Sequence, residues 1–218
     1  MTATATGVTF DHGLRGRLNA WFFEAFDDRI ARLTAPLKKR AFSDLRGERV
    51  LEIGAGVGAN LRYLPPGATL VAVEPNRRMH DGLVRRCARA GIRLELVTAS
   101  AERMPLPDDS VDEVICSLVL CTVPDPAAVL TEVRRVLRPG GRFRFVEHVA
   151  AEPGSMRSRV QRSIRRPWSW MFEGCDPHRD TAAAIEGAGF AHLVLTRRTL
   201  RSGLFYPVGT AISGVATV

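Results

Sequence analysis

The sequence predicts an α/β fold in which a doubly wound, mostly parallel sheet is flanked by helices. Short apolar runs alternate with helical patterns along most of the chain, and this order of elements is typical of such a sheet. The first apolar run, residues 50–53, leads directly into a glycine-rich segment at 54–58. With 218 residues the chain is long enough for one sizeable core, so we interpret residues 1–218 as a single domain.

The chain starts with a predicted N-terminal helix. Apolar residues recur at helical spacing over 14–41, and Pro36 is expected to break this helix near its end. The helix carries more aromatic surface than one face needs for packing, in Trp21, Phe22 and Phe26. These side chains either pack on the sheet or cover a ligand, and we refer to residues 1–45 as the lid segment.

A strand followed by a tight, glycine-rich turn into a helix is predicted next. Residues 50–53 form the buried strand. Gly54 permits the sharp turn, Gly56 lets a ligand lie against bare backbone, and Gly58 lets the next helix start close to the strand. Glu52 stands just before the glycines, within reach of a ligand above the strand ends. A glycine pattern alone is weak evidence, so its context must decide.

The second predicted strand, 69–73, supplies that context because it ends in Glu74. A carboxylate at this point, about 20 residues after the first glycine, holds a ribose diol in nucleotide-binding α/β units. A dinucleotide site has the spacing Gly-x-Gly-x-x-Gly and faces a pyrophosphate. Here the third glycine comes one residue early, and Glu52 would repel phosphate but attract a cation. These features disfavour an NAD(P)-dependent oxidoreductase, which we keep as a distant alternative.

The later elements continue the alternation. They are predicted as helix 77–90, strand 93–97, strand 111–120, a helix from 126 that stops at 138–141, strand 142–149, helix 181–187, and a closing antiparallel pair at 191–196 and 204–212. Asp125 and Pro126 form a typical helix start, with Asp125 as the N-cap. Residues 152–176 interrupt the rhythm with arginines and aromatic residues. We interpret this stretch as an inserted helical segment on the substrate side.

Composition excludes several function classes. The net charge of +8 could indicate a nucleic-acid partner, but the arginines are scattered without interleaved aromatic residues, so no nucleic-acid binding is expected. The four cysteines form no Cys-x-x-Cys pair and no ligand-spaced cluster with histidine, so no metal site is predicted. No apolar stretch is long enough to span a bilayer, so we expect a reduced, cytoplasmic protein.

Four motifs, at residues 52–58, 73–75, 101–105 and 137–141, resemble those of the class I S-adenosylmethionine-dependent methyltransferases. The resemblance covers the chain from about residue 50 onward. It implies a seven-stranded sheet of order 3-2-1-4-5-7-6 with strand 7 antiparallel, and S-adenosylmethionine as the cofactor. The residues expected to bind the cofactor are Glu52, Gly54, Ala55, Gly56, Gly58, Asn60, Glu74, Pro75, Met79, Ser100, Ala101, Glu102, Ser117 and Leu118.

The resemblance also implies which part of the cofactor each group of residues contacts. Residues 54–56 would line the methionine part, Glu74 would hold the ribose hydroxyls, and residues 101–102 would lie by the adenine. Residues 117–118 would approach the sulfonium. Ser100 departs from the family pattern, because an aspartate often accepts the adenine amino proton at this position and a serine hydroxyl does so more weakly.

A narrower resemblance concerns residues 117–123, 145–150 and 172–176, which are similar to the methyltransferase-like thiol S-methyltransferases of animals. It implies a thiol as the acceptor. The aromatic residues of the lid segment, together with Trp168, Trp170, Met171 and Phe172, favour an acceptor that is small and largely apolar. The arginines between 157 and 166 leave O- or N-methylation of a natural-product or lipid-like molecule as the alternative. A non-catalytic binding protein is disfavoured by the intact glycine segment. Those relatives carry an N-terminal membrane anchor, which this sequence does not show, so membrane association is unsupported.

Glu147 and His148 are the candidate catalytic residues. They end the fifth predicted strand, at the sheet edge where the cofactor is expected, and the pKa of a histidine suits the removal of a thiol proton. His148 has an alternative role as a plain hydrogen-bonding residue at the strand end.

Overall fold

A computed structural model describes residues 14–200 and 206–218; within the first helix, side chains are described for Arg17, for Trp21 and from Arg29 onward. The described residues form one seven-stranded sheet. Its strands are β1 (Arg49–Ile53), β2 (Thr69–Val73), β3 (Arg93–Val97), β4 (Val111–Ser117), β5 (Leu137–His148), β6 (His192–Thr199) and β7 (Thr210–Thr217).

The strand order is β3-β2-β1-β4-β5-β7-β6. The first five strands of this order run parallel, and β7 runs antiparallel to both β5 and β6. The predicted order and the antiparallel seventh strand are therefore confirmed. The central strands β1 and β4 are buried almost throughout, as expected for apolar runs covered on both faces, whereas the edge strands β3 and β6 are largely exposed or half-buried.

Helices cover both faces of the sheet. They are α1 (Leu14–Phe42), α2 (Arg77–Ala90), α3 (Pro126–Val136), α4 (Met156–Met171) and α5 (Thr181–Glu186). The C-terminal part of α1 packs with Val50 of β1. Helix α2 packs with Leu70 of β2, the residue that lies next to Val50 in the sheet. Helices α3 and α5 pack with Leu51 on the opposite face. Side chains alternate between the two faces along a strand, so each face has its own core.

Two helix starts follow from their capping residues. The Asp125 carboxylate accepts hydrogen bonds from the backbone N–H groups of Ala127 and Ala128, and Pro126 takes the first helical position. The predicted N-cap of α3 is confirmed. The Asn76 side chain caps α2 in the same way, through the N–H of Arg78.

The helix predicted directly after Gly58 is wrong. Only a single 3₁₀ turn, Leu61–Tyr63, separates the glycine segment from β2. Leu64 then adopts an extended conformation because it precedes Pro65, and a residue before proline is driven out of the helical region. The connection is therefore too short and too rigid for a full α-helix.

The break predicted at Pro36 is also wrong, because α1 continues through it to Phe42. Leu37, Ala41 and Phe42 are buried against the sheet, and this packing outweighs the backbone hydrogen bond that a proline removes. Within the lid segment, the Trp21 side chain is 61% exposed. The side chains of Phe22 and Phe26, and all of residues 1–13, lie outside the described residues.

Several strand boundaries differ from the prediction. Strand β4 ends at Ser117 rather than at residue 120, because Leu118 adopts a left-handed conformation with φ of 62° and turns the chain. Strand β5 begins at Leu137, directly after α3. The inserted segment contains α4, which ends at Met171.

The last strand was predicted at 204–212 but lies at Thr210–Thr217. Pro207 cannot donate a ladder hydrogen bond and sits instead in a 3₁₀ turn, and residues 204–205 lie outside the described part. Strand β7 is closely packed against β6 at Gly214. A Cβ at Gly214 would come within 2.1 Å of the Val194 carbonyl oxygen.

Among the described residues, none of the helices combines the length and the apolar character needed to cross a lipid bilayer.

Candidate active site

A cavity of about 1040 Å³ opens above the carboxyl ends of the parallel strands. This is where doubly wound sheets bind ligands. One end of it lies over β1 and β2, and the other lies over β4 and β5. Residues of α1 and of the α4 region form its outer wall. Of the sixteen residues predicted to act in the site, Gly58 and Glu147 do not line the cavity, and the other fourteen do.

The glycine segment forms the floor of the cavity beside β1. Gly54 has a φ of 63°, and a Cβ there would collide with Val119 at 2.5 Å. Gly56 has a φ of 54°, but a Cβ there would meet no protein atom within 4 Å. Its backbone therefore faces open cavity, as predicted for close approach of a ligand. Gly58 has a packing role instead, because a Cβ at that position would lie 2.9 Å from Leu61.

Glu52 and Asn60 form a buried polar pair beside the glycine segment. Asn60 Nδ2 donates to Glu52 Oε1 at 2.7 Å, and both side chains line the cavity. The other oxygens, Glu52 Oε2 and Asn60 Oδ1, are buried without a hydrogen-bond partner among the described residues. Burial raises the pKa of Glu52 to about 7. Two unsatisfied acceptors on one cavity wall, one of them anionic above that pH, suit a ligand with several cationic N–H donors.

Glu74, at the tip of β2, is oriented by two backbone groups. Its Oε2 accepts the N–H of Gly56 and its Oε1 accepts the N–H of Asn76, both at 2.8 Å. Burial raises the pKa of Glu74 despite these hydrogen bonds. A carboxylate offers about four lone-pair sites, so both oxygens can still accept ligand hydroxyl protons. The Glu74 side chain therefore lies between the glycine segment and the part of the cavity wall that follows β2.

The part of the cavity beyond β2 is mostly apolar. Buried Met79 and Ala101 line it together with Pro75. The hydroxyl of Ser100 donates to the Glu102 carboxylate, so the two polar residues of this wall are paired with each other. A flat, weakly polar ligand group fits such a wall.

Ser117 and Leu118 mark the middle of the cavity, where β4 ends. The Leu118 N–H donates to the Val146 carbonyl at 2.9 Å, which fixes the left-handed turn. The Ser117 hydroxyl oxygen is buried with no hydrogen-bond partner in the described chain. The turn directs the following residues, up to Cys121, along the cavity toward β5.

The two candidate catalytic residues differ in position. Glu147 is fully buried away from the cavity, where its Oε1 accepts the Val119 N–H at 3.0 Å and the Cys116 thiol at 3.4 Å. Burial raises its pKa. It therefore supports the turn after β4 and has no path to a ligand. His148 lines the cavity, and its Nε2 lies 3.1 Å from Cys175 Sγ.

The cavity end over β5 also holds two cysteines for which the sequence predicted no role in the site. Cys121 and Cys175 line it with their sulfurs 3.7 Å apart, and Trp168 Nε1 donates to Cys175 Sγ at 3.3 Å. Burial alone would lower the pKa of His148, but the neighbouring Cys121, Glu147 and Asp176 raise it overall. The prediction that no cysteine joins a ligand-spaced cluster holds along the sequence but not in space.

Comparison with known proteins identifies the family. Residues 51–145 match a methyltransferase domain model. Human thiol S-methyltransferase TMT1B is 37% identical over 189 residues, an alignment that covers 82% of this chain and 77% of that protein. The chain belongs to the S-adenosylmethionine-dependent methyltransferases.

Two further similarities were found, one in sequence and one in fold. Human thiol S-methyltransferase TMT1A is 40% identical over 149 residues, which are 67% of this chain and 61% of that protein. The solved structure of an S-adenosylmethionine-dependent methyltransferase from Mesorhizobium loti has a TM-score of 0.62 at 20% identity, covering 85% of this chain and all of that one. The structural similarity concerns the fold alone.

The cofactor of this methyltransferase is S-adenosylmethionine, and the residues present fit its chemistry. Its α-amino group is a cation with N–H donors, which suits the unsatisfied oxygens of Glu52 and Asn60. One cavity residue that sequence reasoning missed is Lys38 of α1, which is buried and lies close enough to Glu52 to lower its pKa. The sequence alone did not indicate this role for Lys38, because α1 and the glycine segment come together only in the folded structure.

Proposed function

We propose that this methyltransferase transfers the methyl group of S-adenosylmethionine to the sulfur of a small, largely apolar thiol. The observation that carries the proposal is the cavity end over β5, where Trp168 and Phe172 pack at a ring distance of 4.5 Å beside the thiols and imidazole of Cys121, Cys175 and His148. Small-molecule pockets combine such apolar walls with a few polar groups. The two human relatives are thiol S-methyltransferases, which supports the same acceptor class.

The cofactor would lie along the cavity from the glycine floor to the tip of β4. In this arrangement Glu52 and Asn60 hold the amino group, and Lys38 supplies positive charge for the carboxylate. Glu74 accepts the ribose hydroxyls. The adenine lies on the wall formed by Pro75, Met79, Ser100, Ala101 and Glu102. Ser117 and Leu118 would lie beside the sulfonium.

The reaction itself is an in-line displacement. S-adenosylmethionine would supply an activated methyl group: the acceptor sulfur would bond to the methyl carbon as the bond to the sulfonium breaks, and the electron pair would leave with S-adenosylhomocysteine. Alignment of donor and acceptor in the cavity supplies the main acceleration, up to roughly 7–11 kcal/mol. A free thiol with a pKa near about 8.5 is only a few per cent thiolate at neutral pH, so the enzyme must also promote loss of the thiol proton. His148, unlike Glu147, lies where it can do so.

A matched panel of acceptors tests this proposal. Thiophenol, phenol and aniline share one ring and differ in the acceptor atom, with the acidity and nucleophilicity that belong to it. We expect formation of S-adenosylhomocysteine and a methylated product, detected by mass spectrometry, with thiophenol alone. Turnover of phenol or aniline without thiophenol would instead support the O- or N-methyltransferase alternative.

Replacing Glu74 with Ala should weaken binding of S-adenosylmethionine by roughly 1.5–3 kcal/mol, the range for hydrogen bonds to a charged group. Isothermal titration calorimetry measures this change. Glu95 is a suitable control, because its carboxylate lies on the exposed edge strand β3 and pairs with Arg49 away from the cavity. Equal affinity of the Glu74→Ala and wild-type proteins would place the ribose contact elsewhere.

Binding of the cofactor to Glu52 should release protons at pH 6. Burial holds the pKa of Glu52 near 7, so its carboxyl is mostly protonated there in the free protein. The cationic amino group favours the carboxylate, so affinity should increase as the pH rises from about 5.5 to 7. Calorimetry at pH 6 in buffers of different ionisation enthalpy measures the released protons. A Glu52→Gln variant should bind more weakly and release none; an unchanged release in this variant would contradict the assignment.

The same group affects the stability of the cofactor-free protein. The pKa of Glu52 is higher in the folded protein than the value of 4.5 expected for an exposed glutamate. The folded state therefore binds more protons between these values, and its free energy of unfolding falls as the pH rises from 4.5 through 7. Urea unfolding of Glu52→Gln should lack this part of the pH dependence.

A further inference from the structure

Three potential metal ligands meet at the cavity end over β5. They are Cys121, which follows β4, His148, which ends β5, and Cys175, which follows α4. One ligand atom from each lies within 4.8 Å of the other two. All three side chains are buried, and all three line the cavity. We refer to them as the Cys₂His cluster.

Two of the three distances within the Cys₂His cluster can be compared with those of a tetrahedral zinc site. Zinc binds sulfur at about 2.3 Å and imidazole nitrogen at about 2.0–2.1 Å. Tetrahedral angles then separate two sulfurs by about 3.8 Å and a sulfur from a nitrogen by about 3.6 Å. The sulfurs of Cys121 and Cys175 are 3.7 Å apart, and Cys175 Sγ is 3.1 Å from His148 Nε2. Small side-chain movements would accommodate the ion.

Charge and surroundings also suit zinc. Two thiolates and a neutral imidazole balance the charge of Zn²⁺, so the loaded site would bury no net charge. Trp168 already donates its indole N–H to Cys175 Sγ at 3.3 Å. Hydrogen bonds of this kind orient and stabilise metal-bound ligands. Thiolate and imidazole ligands in tetrahedral arrangement favour zinc over magnesium, calcium or manganese.

We propose that the Cys₂His cluster binds one Zn²⁺ ion whose fourth coordination position faces the cavity. Zinc sites with three protein ligands and an open position are the catalytic kind. The role of the ion rests on the function proposed above. The acceptor thiol takes the fourth position and loses its proton to water, because a thiol coordinated to zinc is deprotonated. His148 then promotes thiolate formation as a metal ligand.

The bound thiolate completes the reaction without any further reactant. Its sulfur forms a bond to the methyl carbon of S-adenosylmethionine, and the bond from that carbon to the sulfonium breaks. The products are the methyl thioether, S-adenosylhomocysteine and the proton released on coordination. A thioether is a weaker zinc ligand than a thiolate, so the product leaves and the position opens again.

Metal content tests the site without reference to catalysis. The full chain is purified under tris(carboxyethyl)phosphine, incubated with one equivalent of zinc, passed through a desalting column, and analysed by inductively coupled plasma mass spectrometry. We expect about one zinc per chain, and less than about a tenth of this in Cys121→Ser, Cys175→Ser and His148→Ala. Cys87→Ser is the matched control, because Cys87 is a buried thiol of α2 outside the cluster. It should retain the wild-type zinc content.

Cobalt substitution supplies a second readout that does not depend on a variant folding. Co²⁺ added to the metal-free wild-type protein should produce thiolate-to-metal charge-transfer absorption in the near ultraviolet and the visible bands of a tetrahedral ion. One equivalent of Zn²⁺ should remove both. Absence of zinc from the reduced wild-type protein, together with absence of these bands, would overturn the proposal, and so would copper in place of zinc.

Activity separates the two proposals. Methylation of an alkyl thiol, which is mostly protonated at neutral pH, by the zinc-free protein would overturn the proposed role of the ion and leave the proposed function standing. One zinc per chain, with methylation of phenol or aniline but not of thiols, would overturn the proposed function and leave the zinc site standing.

Discussion

Replacing Gly56 with Val should abolish binding of S-adenosylmethionine. Gly56 faces the open cavity, and no protein atom lies within 4 Å of the place where its Cβ would stand. A valine side chain would fill the space that the ligand needs. We expect no binding at concentrations about 100-fold above the wild-type Kd, a loss of more than about 2.7 kcal/mol, measured by calorimetry.

Gly67 offers a matched control for this variant. It also has a left-handed backbone, with φ of 80°, and a Cβ there would likewise meet no atom within 4 Å. Because it lies in the turn before β2 and not in the cavity, Gly67→Val should share the backbone strain, about 1–2 kcal/mol, while it keeps normal binding. Equal binding losses in the two variants would show that strain, and not occupation of the site, is responsible.

Replacing His148 with Ala should lower the rate of methyl transfer by about 10²–10⁴-fold, the range for loss of a group that assists proton removal. Binding of S-adenosylmethionine should change little, because His148 lies over β5 and the glycine floor lies over β1. Single-turnover kinetics at saturating cofactor measures the rate, and calorimetry measures the binding.

Glu147→Gln is the comparison for His148→Ala. The amide oxygen of glutamine can still accept the Val119 N–H, and residue 147 does not line the cavity. We expect a less than tenfold change in rate. A large loss in Glu147→Gln beside a small loss in His148→Ala would reverse the assignment of the two residues.

The sequence predicted the parallel part of the sheet well because its signals are local. The apolar run of β1 and the glycines after it form one continuous segment, and Glu74 directly follows the run of β2. Their geometry depends on a few neighbouring residues. The elements that were misplaced depend on tertiary packing instead. Helix α1 continues through Pro36 because the residues that follow it are buried against the sheet. Strand β7 needs glycine at 214, because a Cβ there would collide with the Val194 carbonyl oxygen of β6.

The acceptor end of the cavity could not have been predicted from residue spacing. Cys121 and Cys175 are 54 residues apart, and His148 is 27 residues from Cys175. Only the adjacency of β4 and β5, with the return of the chain after α4, brings them together. The sequence also could not distinguish Glu147 from His148 as the candidate base. Side chains alternate along β5, so the two residues lie on opposite faces of the sheet and only His148 lines the cavity.

The central claim is that this chain methylates sulfur, and an acceptor with two competing atoms tests it most directly. In 4-mercaptophenol a thiol and a hydroxyl share one ring, so binding to the cavity is common to both and only the reacting atom differs. The measurement is the position of an isotope-labelled methyl group in the product, read by nuclear magnetic resonance after incubation with methyl-labelled S-adenosylmethionine. We predict the label on sulfur; label on oxygen, with sulfur unmodified, would contradict the account.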